Sequence, residues 1–306
     1  MLNEQQMAMR SRGIGGSDVA AILGISPWVT PLQLYMTKRG EIEPQATNKS
    51  MHWGNILETP ILEEYSRVTG NKVEAVADTI LHPEHNFMLA NIDGRVNDDL
   101  IVEIKTASRS DGWGAEGTDE VPDYYLTQVH HYMTVTGAKQ CDVAVLIGGN
   151  DFRMYHVYAD AEMSQMLIDA ETKFWKMVQD GVPPDIQTTE DWQLKYFHKL
   201  RDVSLEATEQ IQEACTLLFN TNSQIKSLEE RKKKLTTQVM QYMQDNKQLT
   251  IGGQKVGTII QKSLTGWDFE ALKADESVKA KYLNKTSNSA YFQLSTSKNL
   301  PTILGV

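Results

Sequence analysis

Asn91-Ile92-Asp93-Gly94-Arg95-Val96-Asn97-Asp98-Asp99-Leu100-Ile101-Val102-Glu103-Ile104-Lys105 reads as two short strands around a polar turn. Asn97-Asp98-Asp99 has the composition of a turn, because Asn and Asp side chains bond nearby backbone and tolerate tight bends. With the hairpin centred on residue 98, Asp93 faces Glu103. Side chains alternate across a sheet, so Ile92, Val96, Leu100, Val102 and Ile104 share one face with Gly94. Asp93, Arg95, Ile101, Glu103 and Lys105 take the other.

That register brings two carboxylates to ~5 Å, the spacing of directly opposed residues. At an effective dielectric near 20 their repulsion is about 3 kcal/mol. A proton, a basic neighbour or a divalent cation offsets it. Oxygen ligands at this separation suit Mg²⁺ or Mn²⁺. Lys105 falls on the same face, where a lysine orients an attacking water or, as the neutral amine, deprotonates it, and as the ammonium steadies a developing phosphorane charge. On these residues alone a plainer reading stays open, in which Lys105 and Arg95 balance Asp93 and Glu103 on a solvated face.

Outward from the hairpin, the first 200 residues alternate helical and extended signatures. Ser17 to Leu23 reads as a short helix with Ser17 as N-cap and Gly24 as stop, followed by a helical spacing in Pro31 to Arg39. Gly54 to Thr69 is an amphipathic helix ended by Gly70 and interrupted by Pro60. Lys72 to Leu81, Phe87 to Val96 and Leu100 to Thr106 read as strands, then Pro122 to Thr136 as a helix closed by Gly137. Cys141 to Ile147 and Phe152 to Tyr158 form strands around Gly148-Gly149-Asn150-Asp151, and Asp160 to Gln179 is a helix. After residue 200 the texture changes. Ser204 to Gln244 holds no Pro or Gly. Ile211, Leu218, Ile225 and Val239 recur at one heptad position, and Ala214, Leu228, Leu235 and Tyr242 at another, which is coiled-coil-like. Leu249 to Lys262 reads as a hairpin around Gly252-Gly253, and the remaining tail carries weak signals. The expected division is an α/β domain over 1–200 and a long helix with a small β module over 201–306.

The chain has 306 residues with 41% hydrophobic content, enough for a packed core. Its net charge of −10 is uneven. Residues 1–200 hold 16 Lys+Arg against 29 Asp+Glu, and residues 201–306 hold 14 against 11. Such a chain does not bind phosphates indiscriminately, although a metal-dependent site needs carboxylates. Two cysteines form neither a disulfide framework nor a Cys-based zinc site. No apolar run approaches a membrane span, and the first residues lack a signal-peptide pattern, so a cytoplasmic, membrane-free protein is expected. His82-x-x-His85 has no obvious third ligand, and Arg231-Lys232-Lys233-Lys234 reads as a solvated face.

Asp93…Glu103-x-Lys105 within the order helix, three strands, helix, strand resembles the restriction-endonuclease-like core of the PD-(D/E)XK superfamily, a mixed central sheet flanked by helices. Arg12-Gly13-Ile14-Gly15-Gly16-Ser17-Asp18 with Leu23-Gly24-Ile25-Ser26-Pro27-Trp28 looks like the opening of YqaJ-type viral recombinases, relatives of bacteriophage lambda exonuclease. His52-Trp53-Gly54-Asn55-Ile56-Leu57-Glu58 and Tyr125-x-x-Gln128-x-x-His131-Tyr132 match that family in order and spacing. The resemblance implies a Mg²⁺-dependent exonuclease that resects duplex DNA ends from 5′ to 3′ and leaves a 3′ strand for a single-strand annealing protein. Asp93, Glu103, the main-chain oxygen of Ile104 and Glu58 would hold the metal. Glu58 sits on the apolar stripe with Ile61, Leu62 and Tyr65, where a carboxylate needs a partner. Lys105 would activate water, and Gln128 and His131 would flank the water or a phosphate. Gly15-Gly16-Ser17 opens a helix, a ready anion site with free N–H groups, and Ser17 with Arg10 or Arg12 would receive the 5′-phosphate. The same resemblance implies a homo-oligomer, a toroidal trimer, in the cytoplasm of a phage's bacterial host. Two rivals stay open: an endonuclease or structure-specific nuclease on the same core, and a non-catalytic DNA-end-binding scaffold.

Overall fold

In the computed structural model, which describes residues 9–44, 46–261 and 274–278, Gly94 faces Val102 and Arg95 faces Ile101. This is the register that the turn at Asn97–Asp99 imposes. The chain divides into two units, Met1–Leu194 and Lys195–Val306.

In the first unit, β1 (Ile14–Gly15) leads into α1 (Gly16–Ile22), α2 (Pro31–Lys38) and α3 (Lys49–Thr69). The strands β2 (Ile80–Leu81), β3 (Met88–Ala90), β4 (Gly94–Arg95) and β5 (Leu100–Ala107) follow. Next come α4 (Asp123–Thr136), β6 (Gln140–Ile147), β7 (Asp151–Tyr158), α5 (Ala161–Asp180) and α6 (Thr189–Tyr196), the last crossing into the second unit. The central sheet has the order β4-β5-β6-β7. Its outer pairs are antiparallel, while β5 and β6 run parallel along all eight residues of each. Parallel neighbours need a crossover, and α4 supplies it. The result is a mixed α/β fold built on a four-stranded mixed sheet.

Both faces of this sheet are covered. Val102, Ile104 and Ala144 pack with Ile61 and Tyr65 of α3. Ile101, Val143 and Val145 pack with Val129, Tyr132 and Met133 of α4. Glu103, on the polar side of the hairpin, is therefore 3% exposed.

Several local expectations are corrected. Phe87 to Val96 is not one strand: it breaks at Asn91–Asp93, and β3 joins a separate sheet, parallel to β1 and antiparallel to β2. The bend at Asp93 ends the alternation, so Ile92 packs with Ile101 rather than with Val102. In Lys72 to Leu81, only Ile80–Leu81 is a strand, with an isolated bridge from Glu74 to Arg95. The N-cap of α1 is Gly15, not Ser17, because the Asp18 carboxylate takes the Gly15 N–H at 3.0 Å. Helix α3 starts before Gly54, at Lys49, where Asn48 caps it by accepting the Met51 N–H.

In the second unit α7 (Glu209–Met243) is one continuous helix. Its heptad residues Ile211, Ile225, Leu228, Leu235 and Tyr242 are all exposed. β8 (Gln248–Ile251) and β9 (Gln254–Thr258) pair around Gly252-Gly253, both at positive φ as a tight hairpin turn needs. Lys262 and the expected weak tail lie outside the described residues, apart from 274–278. Among the described residues no helix is long and apolar enough to cross a membrane.

Candidate active site

The bend that ends β-alternation at Asp93 turns its carboxylate back along β5, where Oδ2 accepts the Ile104 N–H at 2.8 Å. Glu103 and Lys105, two residues apart on β5, point to the same side. Oε1 of Glu103 accepts from Lys105 Nζ at 2.5 Å and from Gln128 Nε2 at 2.9 Å. Lys105 also donates to Gln128 Oε1 at 3.1 Å, and its ammonium lies 4.7 Å from the centre of the Tyr125 ring. Gln128 is fixed in turn by the Tyr132 hydroxyl at 3.0 Å. One turn of α4 thus supplies an amide that touches both the acid and the base.

The electrostatics follow from burial. Loss of water, and then the neighbouring Glu103, push the Asp93 carboxyl up to about 8. Burial would lower the Lys105 ammonium, but Glu103 and Asp93 outweigh it and hold the group above its ordinary value. Glu58, half-buried on α3, is raised by burial and then by Asp93, and lowered by Lys105. With both acids, Asp93 and Glu103, ionised, Oε2 of Glu103 is buried and meets no donor among the described residues. A proton on Asp93 can answer that orphaned oxygen, and so can a divalent cation, which replaces the proton. Hard oxygen donors in surplus negative charge fit Mg²⁺ or Mn²⁺. Among the described residues no three carboxylate, imidazole or thiol groups come together as a metal cage.

A second cluster lies at the start of α1. Arg10 Nη2 donates to Ser17 Oγ at 2.5 Å and reaches Asp18 at 3.3 Å. Lys38 Nζ donates to Asp18 Oδ2 at 2.7 Å. Burial would raise the Asp18 carboxyl, but Lys38, Arg10 and the Gly15 N–H bring it down to about 2. Arg10, not Arg12, is therefore the arginine beside Ser17; Arg12 is exposed. The Gly15 N–H is committed to Asp18 and is not a free donor. Gly16 is packed against α4, where a Cβ would lie 2.6 Å from Tyr132 Cε1.

His131 is corrected outright as a phosphate-side residue. It is fully buried, with Nδ1 at 2.8 Å from Glu171 and Nε2 at 2.9 Å from the Leu89 carbonyl, so neither nitrogen faces substrate. Glu171, Lys38 and Asp18 were not assigned roles from sequence. Asp18 had a signal, an acid three residues after a glycine at a helix start; Lys38 and Glu171 are distant partners with none. The His82 ring accepts the N–H groups of Glu84 and His85 and so closes a turn.

Residues 6–139 match the YqaJ-like viral recombinase domain. The chain is 32% identical over 260 residues to the uncharacterized protein YqaJ of Bacillus subtilis (strain 168), covering 80% of this chain and 79% of that one. Among solved structures it is similar to an alkaline exonuclease (LHK-Exo) from Laribacter hongkongensis, with 19% identity and a TM-score of 0.49 over 59% of this chain and 94% of that one. A phage-related exonuclease from Haemophilus somnus 129PT matches with 13% identity and a TM-score of 0.41 over 55% and 96%. A domain match that spans Arg10, Glu58, the Asp93–Lys105 hairpin and Gln128, together with identity along four fifths of a relative, makes this chain a member of the YqaJ-like viral recombinase domain family.

Proposed function

We propose that the chain is a Mg²⁺-dependent deoxyribonuclease of the lambda exonuclease type, degrading duplex DNA ends from 5′ to 3′. The observation that carries this reading is the buried, donorless Oε2 of Glu103 beside Asp93 and the Lys105 ammonium. Asp93 and Glu103, with the main-chain oxygen of Ile104 and Glu58, would hold the ion. Bound there, Mg²⁺ (or Mn²⁺) supplies Lewis acidity toward the phosphodiester and a more acidic water.

The chain's own residues do the rest. Lys105, held as an ammonium by Glu103 and Gln128, orients the attacking water and offsets charge that develops on the phosphate oxygens. Water adds to phosphorus, the P–O3′ bond breaks, and the departing O3′ takes up a proton. The released nucleotide keeps its 3′-hydroxyl, and the remaining strand gains a new 5′-phosphate. Ser17 and Arg10, hydrogen-bonded to each other and with Asp18 steadying the guanidinium, would receive a 5′-phosphate. The 3′ strand left behind suits a single-strand annealing protein. By family likeness the enzyme works as a homo-oligomeric ring, a trimer, in the bacterial cytoplasm. Residues 1–200 would form the nuclease domain and residues 201–306 an appended module.

The test is digestion of linear duplex labelled at the 5′ or 3′ end, with and without Mg²⁺, beside closed circles and Lys105→Ala. Mg²⁺-dependent release of 5′ label, with circles spared and the variant inactive, is the expected result. Cut circles would make it an endonuclease. No cleavage of any substrate by the wild type would leave only a DNA-end-binding scaffold.

A further inference from the structure

Trp28 leaves 57% of its surface open, yet its position is fixed. The N–H groups of Trp28 and Val29 both donate to Ser26 Oγ at 3.2 Å, and those of Ile25 and Ser26 both donate to the Ala20 carbonyl. Pro27 stiffens the approach, and Thr30 begins α2 directly after by accepting the Gln33 N–H. A short loop between two helices therefore holds the indole out as a rigid plate.

The plate is the open end of an aromatic row that leads to the candidate active site. Its ring meets Tyr124 edge-on at 4.9 Å, and Tyr124 meets Tyr125 at 4.5 Å. Trp28 is 6.5 Å from Tyr125, the ring that carries the Lys105 ammonium at 4.7 Å. On the inner side Trp113 and Tyr155 continue the row, at 8% and 0% exposure. Those inner rings are packing residues. Trp28 has no such cover, and one tyrosine ring separates it from the group that would attend the reacting phosphate.

Charge makes a stacking contact the more fitting one here. Residues 1–200 hold 16 Lys+Arg against 29 Asp+Glu, so general attraction to a polyanion is weak, and affinity near the site has to come from another source. Base-on-aromatic stacking supplies it without sequence preference, since every base has a π face.

We propose that Trp28, backed by Tyr124, is the platform on which a nucleobase flanking the cleaved phosphodiester stacks. This rests on the nuclease reading above and names a strand-positioning residue for it; Trp28 touches the base, not the reacting atoms.

The experiment combines Trp28→Ala, Trp28→Leu and Trp28→Tyr with duplexes carrying one abasic nucleotide at successive positions from the 5′ end, read as kcat and KM with Mg²⁺. Circular dichroism checks the fold of each variant. Loss of one stacked base is expected to weaken use of the normal substrate roughly five- to a hundredfold, chiefly through KM. At one abasic position the wild type falls to the level of Trp28→Ala and Trp28→Leu, while Trp28→Tyr keeps most of its activity on normal DNA. A 2-aminopurine at that position is quenched by the metal-free wild type and not by Trp28→Leu. The proposal is overturned if the folded Leu variant matches the wild type, or if its deficit is the same at every abasic position. Failure of the wild type to cut any DNA would instead sink the nuclease reading, and the fluorescence experiment would still decide whether Trp28 stacks a base.

Discussion

Replacing Asp18 with Asn removes the charge that joins Arg10 and Lys38 beneath Ser17. In the folded chain the Asp18 carboxyl sits at about 2 against an ordinary 3.8, and the residue is 8% exposed. A lowered pKa stabilises the fold above the ordinary value, and the benefit fades as pH falls through the lowered one. At 1.36 kcal/mol per unit the shift contributes about 2 kcal/mol at pH 7, of which about 1 kcal/mol has gone by pH 3. The Asn variant has none of this to lose. It also leaves the Lys38 ammonium, 5% exposed, without its carboxylate, a cost of about 3–5 kcal/mol that does not vary across this range. Urea midpoints for both proteins at pH 7, 4 and 3 measure the gap. It should be widest at pH 7 and narrow by about 1 kcal/mol at pH 3. A gap that stays constant with pH would show that Asp18 titrates alike in the folded and unfolded chains, and the argument for this ion cluster would fail.

Gly16→Ala drives a methyl into Tyr132 and Gln128; overpacking of about 1–3 kcal/mol outweighs the helix-propensity gain of up to about 1, so the melting temperature falls, and cleavage with it. Burial would lower His131, but Glu171 outweighs it and raises the imidazole, so the pair stabilises the fold at pH 6 and loses that contribution as pH rises through the raised value. Glu171→Gln should therefore be most damaging near pH 6, with the difference from wild type shrinking by pH 9 in denaturant titrations. Mg²⁺ without DNA should raise the wild-type melting temperature, by the equivalent of about 2.7 kcal/mol at a hundred times Kd, and leave Glu103→Gln unmoved. A shift of equal size in the variant would place the ion elsewhere.

The hairpin was legible because its two determinants are local. Asn97-Asp98-Asp99 sets the turn, and alternation from Leu100 onward sets the faces, so Glu103 and Lys105 could be placed together. Legibility ended where a residue's fate depends on distant chain. Ile92 left its expected face because the backbone bends at Asp93 to bring that carboxylate to the Ile104 N–H, a demand invisible in periodicity. Ser17 lost the capping role because the helix begins before it, at Gly16, with the Asp18 carboxylate reaching back to the N–H of the capping Gly15. His131 shares a helix with Gln128, yet three residues along α4 separate a side chain at the site from one sealed between Leu89 and Glu171. The choice between Arg10 and Arg12 needed Asp18 to decide it, and Lys38 entered only through the packing of α2 near α1.

All eight residues of β5 pair in parallel with β6, which is itself paired along its length to β7. Glu103 and Lys105 thus ride on a strand whose hydrogen bonds open only with the sheet as a whole. In hydrogen-exchange terms their amides should fall in the slowest class, exchanging at the free energy of global unfolding. Heat should then extinguish the chemistry of this site in step with the last tertiary structure to melt.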